Sequence, residues 1–196
     1  MINLGCIIMA AGNSKRFEHN SKLLEKFNGE SLIEITLKNL NFDMFTKTVI
    51  VTANDEILKL ADSYNVTKVI NDNPDAGLGL TIKMGLKEIG KDMDGYMFLV
   101  CDQPLLKKQT ISDLISLWKY NQNYICALGF KERLGNPVIF PGFLYDELSA
   151  LSDNELGRKV YHNHKEILLK HQVENEEELF DVDTMKDLHK IKNSDY

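Results

Sequence analysis

The chain has 196 residues, 43% of them hydrophobic and 27% charged, which suits one domain over 1–196 and excludes both a disordered chain and a disulfide-stapled mini-protein. Twenty-three basic against twenty-nine acidic residues leave a net charge of -6, the wrong sign for a general binder of nucleic-acid backbones, so any anionic ligand needs a local cationic patch. No apolar stretch approaches the ~18 to 20 residues of a membrane helix, and Cys6, Cys101 and Cys126 form no CxxC or His/Cys metal spacing, which reads as a soluble cytoplasmic protein with reduced core cysteines.

The apolar pattern switches between short β-branched runs and segments of helical spacing. Leu4 to Met9 reads as a buried strand; the run Gly5 to Ala11 is too short for a secretion signal, and no basic segment precedes it. Ser31 with Glu34 forms a capping box that opens a helix through Leu40. Lys47 to Thr52 is the next strand, Asp55 to Ser63 a helix, Val66 to Asn71 a strand and Leu80 to Ile89 a helix. Tyr96 to Cys101 is the most hydrophobic strand, Thr110 with Asp113 caps a further helix, and Tyr124 to Phe130 is a strand. Strands that are apolar on both alternation phases, each followed by a helix, require a mostly parallel sheet with helices on both faces, hence an α/β class. Beyond residue 130 the rhythm loosens into a strand at Pro137 to Phe140, helices near Gly142 and across Leu156 to His162, a strand at Ile167 to His171 and a helix from Thr184. This predicts a mixed edge toward the C-terminus. The charge run Glu174 to Glu178 reads as a solvated turn.

Ligands of open parallel sheets bind at the carboxyl ends of the strands. After the first strand, Ala10, Ala11 and Gly12 are small enough for backbone amides to approach a phosphate, and Ser14 adds a hydroxyl. Lys15, Arg16, Lys22 and Lys26 put four positive charges within twelve residues. Neither GxxxxGK[ST] nor GxGxxG is present, so the P-loop and dinucleotide readings lose their main support. Asp102 leaves the carboxyl end of the strongest strand, where a carboxylate suits Mg²⁺, and Pro104 fixes the turn that presents it. His162 and His164 lie two apart on a helix and point to different faces, which excludes a shared metal. Trp118 and Tyr120 follow a helical pattern and read as core and rim.

In these residues the chain resembles the MobA-like nucleotidyltransferase family, and within it the cytidylyl-transferring branch. The family's opening AAGxSxR pattern with a later lysine is met by Ala10, Ala11, Gly12, Ser14, Arg16, Phe17 and Lys22. Asn73, Pro74, Gly77 and Thr81 resemble its NP…G stretch, and Asp102, Gln103 and Pro104 its metal turn. Gly135, Asn136, Pro137 and Val138 resemble its G[HN]PV segment, Asp153, Gly157 and Arg158 its GDxGxR segment, and Asp181, Asp183, Thr184 and Asp187 its acidic ending. The departures are Cys101 for a glycine, Glu18 for another, Lys22 one residue beyond the usual spacing, Ser152 for the glycine before Asp153, one extra residue between Asp153 and Gly157, and Met185 for proline.

The resemblance implies a Rossmann-like nucleotidyltransferase fold and Mg²⁺-dependent transfer of CMP from CTP to the terminal phosphate of molybdopterin. Arg16, Lys22 and Asp102 are then catalytic. Ala10, Ala11, Gly12, Ser14, Asn73, Gly77 and Thr81 bind the nucleotide, Asp102 and Asp183 the metal, and Asn136 and Arg158 the acceptor. CTP rather than GTP follows from Ala11, where guanylyl-transferring members have glycine. The implied partners are CTP, a molybdopterin-type cofactor and a molybdoenzyme that receives it, with no nucleic acid and no membrane. Two alternatives stand beside this: transfer to another phosphorylated acceptor such as a sugar phosphate, and a non-catalytic nucleotide-binding chaperone of a molybdoenzyme. Asp183 has a competing role as the cap of the last helix, and Arg158 as a surface arginine.

Overall fold

The computed structural model describes residues 2–12 and 21–192. The main sheet has seven strands: β1 (Leu4–Met9), β4 (Lys47–Thr52), β5 (Thr67–Ile70), β6 (Gly95–Val100), β7 (Ile125–Phe130), β8 (Arg133–Pro141) and β9 (Leu168–Gln172). Their order across the sheet is β5-β4-β1-β6-β8-β7-β9. From β5 to β6 every pairing is parallel, β8 runs antiparallel to both β6 and β7, and β9 pairs parallel with β7. The α/β class, the strands of the first two-thirds and the mixed edge therefore stand as expected. A two-stranded hairpin, β2 (Lys26–Phe27) and β3 (Glu30–Ser31), lies apart from the sheet; strands of two residues are too short to leave a periodic signature.

Alternate residues of β1 enter opposite layers, as the period of a strand requires. Leu4, Cys6 and Ile8 pack among Ile33 and Leu37 of α1 (Leu32–Asn39), Ile57 of α2 (Asp55–Ala61) and Leu114 and Trp118 of α4 (Lys108–Tyr120). Ile7 faces Ile82, Leu86 and Ile89 of α3 (Leu78–Ile89), Leu148 of α5 (Tyr145–Ser149) and Val160 of α6 (Arg158–Asn163). A third cluster joins Phe27 and Leu32 to Val182, Leu188 and Ile191, and so docks α7 (Met185–Lys192) against the hairpin and α1. That docking brings the C-terminal segment to the carboxyl end of the central strands. Among the described residues no helix is long and apolar enough to cross a membrane.

The cysteines are buried and unpaired; burial raises all three thiols, that of Cys126 to about 12. Two expectations are corrected. Thr110 does not cap α4, which is entered from Lys107 without a side-chain cap; its hydroxyl lies inside the first turn and donates to Glu178. Glu178 in turn is only 4% exposed, so the acidic run ends in a buried carboxylate rather than a solvated turn. The bond to Thr110, a second from the Lys107 amide and the Lys107 ammonium nearby compensate that charge, as burial demands.

The capping box at α1 is present in full. Ser31 Oγ accepts from the Glu34 amide, while Glu34 Oε2 accepts from both the amide and the hydroxyl of Ser31. These bonds, the hydroxyl's first, hold the Glu34 carboxyl below its ordinary value. Ser31→Ala should therefore cost about 0.5 to 2 kcal/mol at neutral pH, the usual range for a lost cap. Because the folded-state pKa lies below the unfolded one, this contribution is complete above the unfolded value and disappears as pH falls through the folded one. Denaturant unfolding of wild type and variant at neutral and acidic pH should show the penalty shrinking in acid.

Candidate active site

Ala10 and Ala11 leave β1 with their methyl groups buried. The Ala10 amide donates to the Val51 carbonyl at 2.9 Å and its carbonyl accepts from the Thr52 hydroxyl at 3.0 Å, which fixes the start of the loop against β4. Among the described residues nothing lies within 4 Å of where a side chain at Gly12 would begin. Ser14 and Arg16 lie outside the described residues.

Asp102 follows β6 by two residues, and its backbone carbonyl accepts from the Val182 amide at 2.8 Å. That single bond lays the segment before α7 across the end of the strand. Lys22, which begins a 3-10 turn (Lys22–Leu24), donates to Asp102 Oδ2 at 2.8 Å and to Asp183 Oδ1 at 3.1 Å. The extra residue before Lys22 does not keep it from the strand end. Burial works against the Lys22 ammonium, yet the Asp102 and Asp183 carboxylates outweigh it and raise its pKa above the ordinary lysine value. Asp102 Oδ1 is buried with no hydrogen-bond partner among the described residues, so the pair has more acceptor capacity than one ammonium meets.

The cap of α7 belongs to other groups. Asp187 Oδ2 accepts from the Thr184 hydroxyl and the Asp183 amide, and the Asp187 amide donates back to Thr184 Oγ1. Asp183 supplies only its amide there, which leaves its carboxylate turned to Lys22. Around this centre the C-terminal segment is tied at further points: Gln103 Nε2 donates to Asp181 Oδ1 at 2.8 Å, and Arg133 donates to the Leu179 carbonyl at 3.0 Å and lies 3.5 Å from Asp181. Burial first, and the nearby Asp102 charge second, raise the pKa of the Asp181 carboxyl. Nothing in the sequence separates Arg133 or Glu178 from ordinary surface charges, because their partners lie 46 and 68 residues away.

The residues expected around the nucleobase divide into two layers. Asn71 is fully buried; its side chain accepts from the Asn73 amide and donates to Thr81 Oγ1 at 3.3 Å. Thr81 is 1% exposed and lies behind the loop, in contact with Asn71. Asn73 leads into a short 3-10 turn that ends at Gly77, whose φ of +116° disfavours any side chain and whose added Cβ would sit 2.6 Å from the Asp153 carbonyl. The same carbonyl accepts from the Gly79 amide, and the Asp153 carboxylate pairs with Lys83. Asp153 thus pins the N-terminus of α3.

Asn136 and Arg158 share one cavity of about 260 Å³, walled by Met9, Ile82, Phe98 and Tyr161. Val100, two residues before Asp102 in the chain, lines it as well. The Asn136–Pro137 peptide is cis. His162 is exposed, and His164 pairs with Glu147 at 2.6 Å. Among the described residues no group of three or more His, Cys, Asp or Glu side chains forms a metal site. A cation at Asp102 and Asp183 would find two carboxylates among the described residues and have room for water and substrate ligands beside them. Mg²⁺ is suited to that, because it keeps several waters and commonly binds one or two carboxylates together with phosphate oxygens.

Residues 6–167 match the model of the MobA-like NTP transferase domain. The chain is 26% identical over 139 residues to a molybdenum cofactor guanylyltransferase from Shewanella sp. (strain MR-4), covering 70% of this chain and 68% of the relative. Among solved structures it is similar to Rv0371c from Mycobacterium tuberculosis H37Rv, with a TM-score of 0.82, 17% identity and 98% and 99% of the two chains covered. A nucleotidyl transferase from Methanothermobacter thermautotroptrophicus gives 0.81, 20% identity and 97% and 96% coverage. A manganese complex of Rv0371c gives 0.78, 18% and 98% and 99%. At these identities the structures establish the nucleotidyltransferase fold.

The division of labour before α7 has a direct consequence for stability. Thr184→Ala should lower it by about 0.5 to 2 kcal/mol, as a lost cap does. Asp183→Asn, at a side chain 56% exposed and outside the cap, should change it by less than about 0.5 kcal/mol. Thermal unfolding of the two variants beside wild type checks the ordering; the reverse order would make Asp183 the structural residue.

Proposed function

The chain belongs to the MobA-like NTP transferase family, and we propose that it is a divalent-metal-dependent nucleotidyltransferase that moves CMP from CTP to the terminal phosphate of a molybdopterin-type cofactor. The observation that carries the reading is the carboxylate pair at the end of β6, Asp102 and Asp183, held on one ammonium beside the Ala10 to Gly12 turn. A phosphate-binding turn and a cation-binding pair at adjacent strand ends are what nucleotidyl transfer asks for, since such chemistry consists mostly of positioning and charge neutralisation.

In this reading an oxygen of the acceptor phosphate forms a bond to the α-phosphorus of the donor, and the bond from that phosphorus to the β-phosphate oxygen breaks to release pyrophosphate. The acceptor, a phosphomonoester with a second pKa near ~6, is already largely dianionic and needs no general base. Asp102 and Asp183 hold the divalent ion, which Mg²⁺ fits. When bound, that ion neutralises phosphate charge. The amides from Ala11 to Ser14 and the Arg16 guanidinium receive the leaving pyrophosphate, and Lys22 stabilises charge at the transferring phosphorus. Asn73 and Gly77 border the base. Asn136 and Arg158 hold the acceptor, whose organic part the apolar walls of their shared cavity suit. Delivery of the product to a molybdoenzyme in the cytoplasm completes the reading.

The choice of CTP rests on Ala11, whose methyl narrows the turn relative to the glycine of guanylyl-transferring members. A second reading, GTP as donor, is favoured by the guanylyltransferase relative. A screen of the four ribonucleoside triphosphates with molybdopterin and Mg²⁺, following pyrophosphate release, decides between them. CTP should be used best, and Ala11→Gly should relax the preference by about 10- to 200-fold, the range a methyl-sized change in a pocket supports. A wild-type preference for GTP would assign the chain to guanylyl transfer. No turnover with any donor, despite nucleotide binding, would instead favour a non-catalytic binding role.

The same assay tests the carboxylates and the loop. Asp102→Asn should keep the fold and lose most metal-dependent transfer, because a neutral amide oxygen replaces the carboxylate that a hard cation prefers. If Asp102 and Asp183 share one ion, the double variant should be scarcely slower than the worse single variant. Arg16→Ala should cost more activity than Lys15→Ala; equal losses would remove the special role of Arg16.

A further inference from the structure

We propose that Lys22 is the resident counter-ion of the carboxylate pair, and that a divalent cation enters only by displacing it. The inference rests on the reading of Asp102 and Asp183 as metal-holding residues and adds a binding mechanism to it. Lys22 Nζ lies 2.8 Å from Asp102 Oδ2 and 3.1 Å from Asp183 Oδ1, so one ammonium occupies an oxygen of each carboxylate. Asp102 Oδ1 is turned away from solvent. The face of Asp102 that an incoming ion can reach is therefore Oδ2, the atom Lys22 covers.

Electrostatics gives the arrangement its logic. Two carboxylates brought together repel unless a cation sits between them. Lys22 supplies that cation, with its side chain only 16% exposed, and so holds the two groups in place. A divalent ion bound to the same oxygens would stand against the ammonium, and like charges at contact cannot both remain. The single charge of Lys22 balances only one of the two carboxylates, whereas a divalent ion carries the charge of both.

The exchange also links metal to nucleotide. Lys22 has a flexible four-carbon stem, so the displaced ammonium can turn to a new anion. A bound triphosphate offers one, which lowers the cost of displacement. Metal and triphosphate then bind cooperatively, and the coupling is reciprocal. In their absence Lys22 keeps the site assembled; in their presence the same side chain becomes a phosphate ligand.

Mn²⁺ binding to the whole protein without nucleotide, read from the loss of the free-ion electron paramagnetic resonance signal, tests this without reference to turnover. Lys22→Met should bind Mn²⁺ about tenfold more tightly than wild type, inside the ~5- to 150-fold range of typical couplings between sites. Lys26→Met, the same change of charge at an exposed lysine, should gain much less. CTP should tighten Mn²⁺ binding in wild type more than in Lys22→Met. If Lys22→Met does not fold, Lys22→Gln reads the same quantity with a polar side chain retained. Binding in the Lys22 variant no tighter than in Lys26→Met overturns the exchange. Weaker binding in Asp102→Asn with no gain in Lys22→Met overturns the exchange alone, leaving the metal site intact; unchanged binding in Asp102→Asn, with or without Lys22→Met, overturns the metal site and the exchange together.

Discussion

The hydrogen bond from the Val182 amide to the Asp102 carbonyl is the contact on which the candidate site depends, because it carries the C-terminal segment across the end of β6. It helps to set Asp183 beside a residue 81 positions earlier. The bond does not act alone. Glu178 anchors the segment under α4 through Thr110, Arg133 holds the Leu179 carbonyl, Gln103 holds Asp181, and Leu188 and Ile191 pack α7 onto Phe27 and Leu32. Each tie is modest by itself, since a typical hydrogen bond contributes about 0.5 to 1.5 kcal/mol net. Together they fix one carboxylate relative to another with the precision that a shared cation requires.

The sheet supplies the rigid part of that arrangement. β1 and β6 are buried on both faces, so their carboxyl ends cannot shift without disturbing two core layers, and residues placed just beyond them inherit that rigidity. Ala10 leaves one strand and Asp102 the other, and these strands are direct neighbours in register from Leu4 with Gly95 to Met9 with Val100. The turn and the acidic residue therefore leave neighbouring strand ends as a consequence of parallel pairing. Charge completes the picture. Among the described residues, two carboxylates against one ammonium are negative overall, yet the substrates of nucleotidyl transfer are anions. A divalent cation would reconcile the two, and Lys15 and Arg16 add positive charge to the sequence just before Lys22.

Much of this was legible in the sequence because local rules and tertiary structure agree. The strands Leu4–Met9 and Lys47–Thr52 and the helix opened by Ser31 and Glu34 are specified by apolar pattern and capping chemistry that act within a few residues; the structure repeats both strands residue for residue and runs the helix from Leu32 to Asn39. Where the outcome depended on distant partners, sequence could not carry it. Thr110 and Asp113 have the spacing of a cap, but a buried glutamate claims the Thr110 hydroxyl. Thr81 has the composition of a ligand contact, but Asn71 draws it into the layer behind the loop. Asp183 and the Thr184/Asp187 pair stand together in sequence, and only geometry separates the carboxylate that faces Lys22 from the one that caps the helix.

A crystal structure of the protein with Mn²⁺ and a non-hydrolysable CTP analogue, read through the anomalous signal of the metal, tests the central claim most directly. The account predicts one Mn²⁺ bound by Asp102 and Asp183 and by phosphate oxygens of the analogue, with the Lys22 ammonium moved from the carboxylates to the triphosphate. A metal held away from Asp102, or a Lys22 still seated between the two carboxylates while metal and nucleotide are bound, would contradict it.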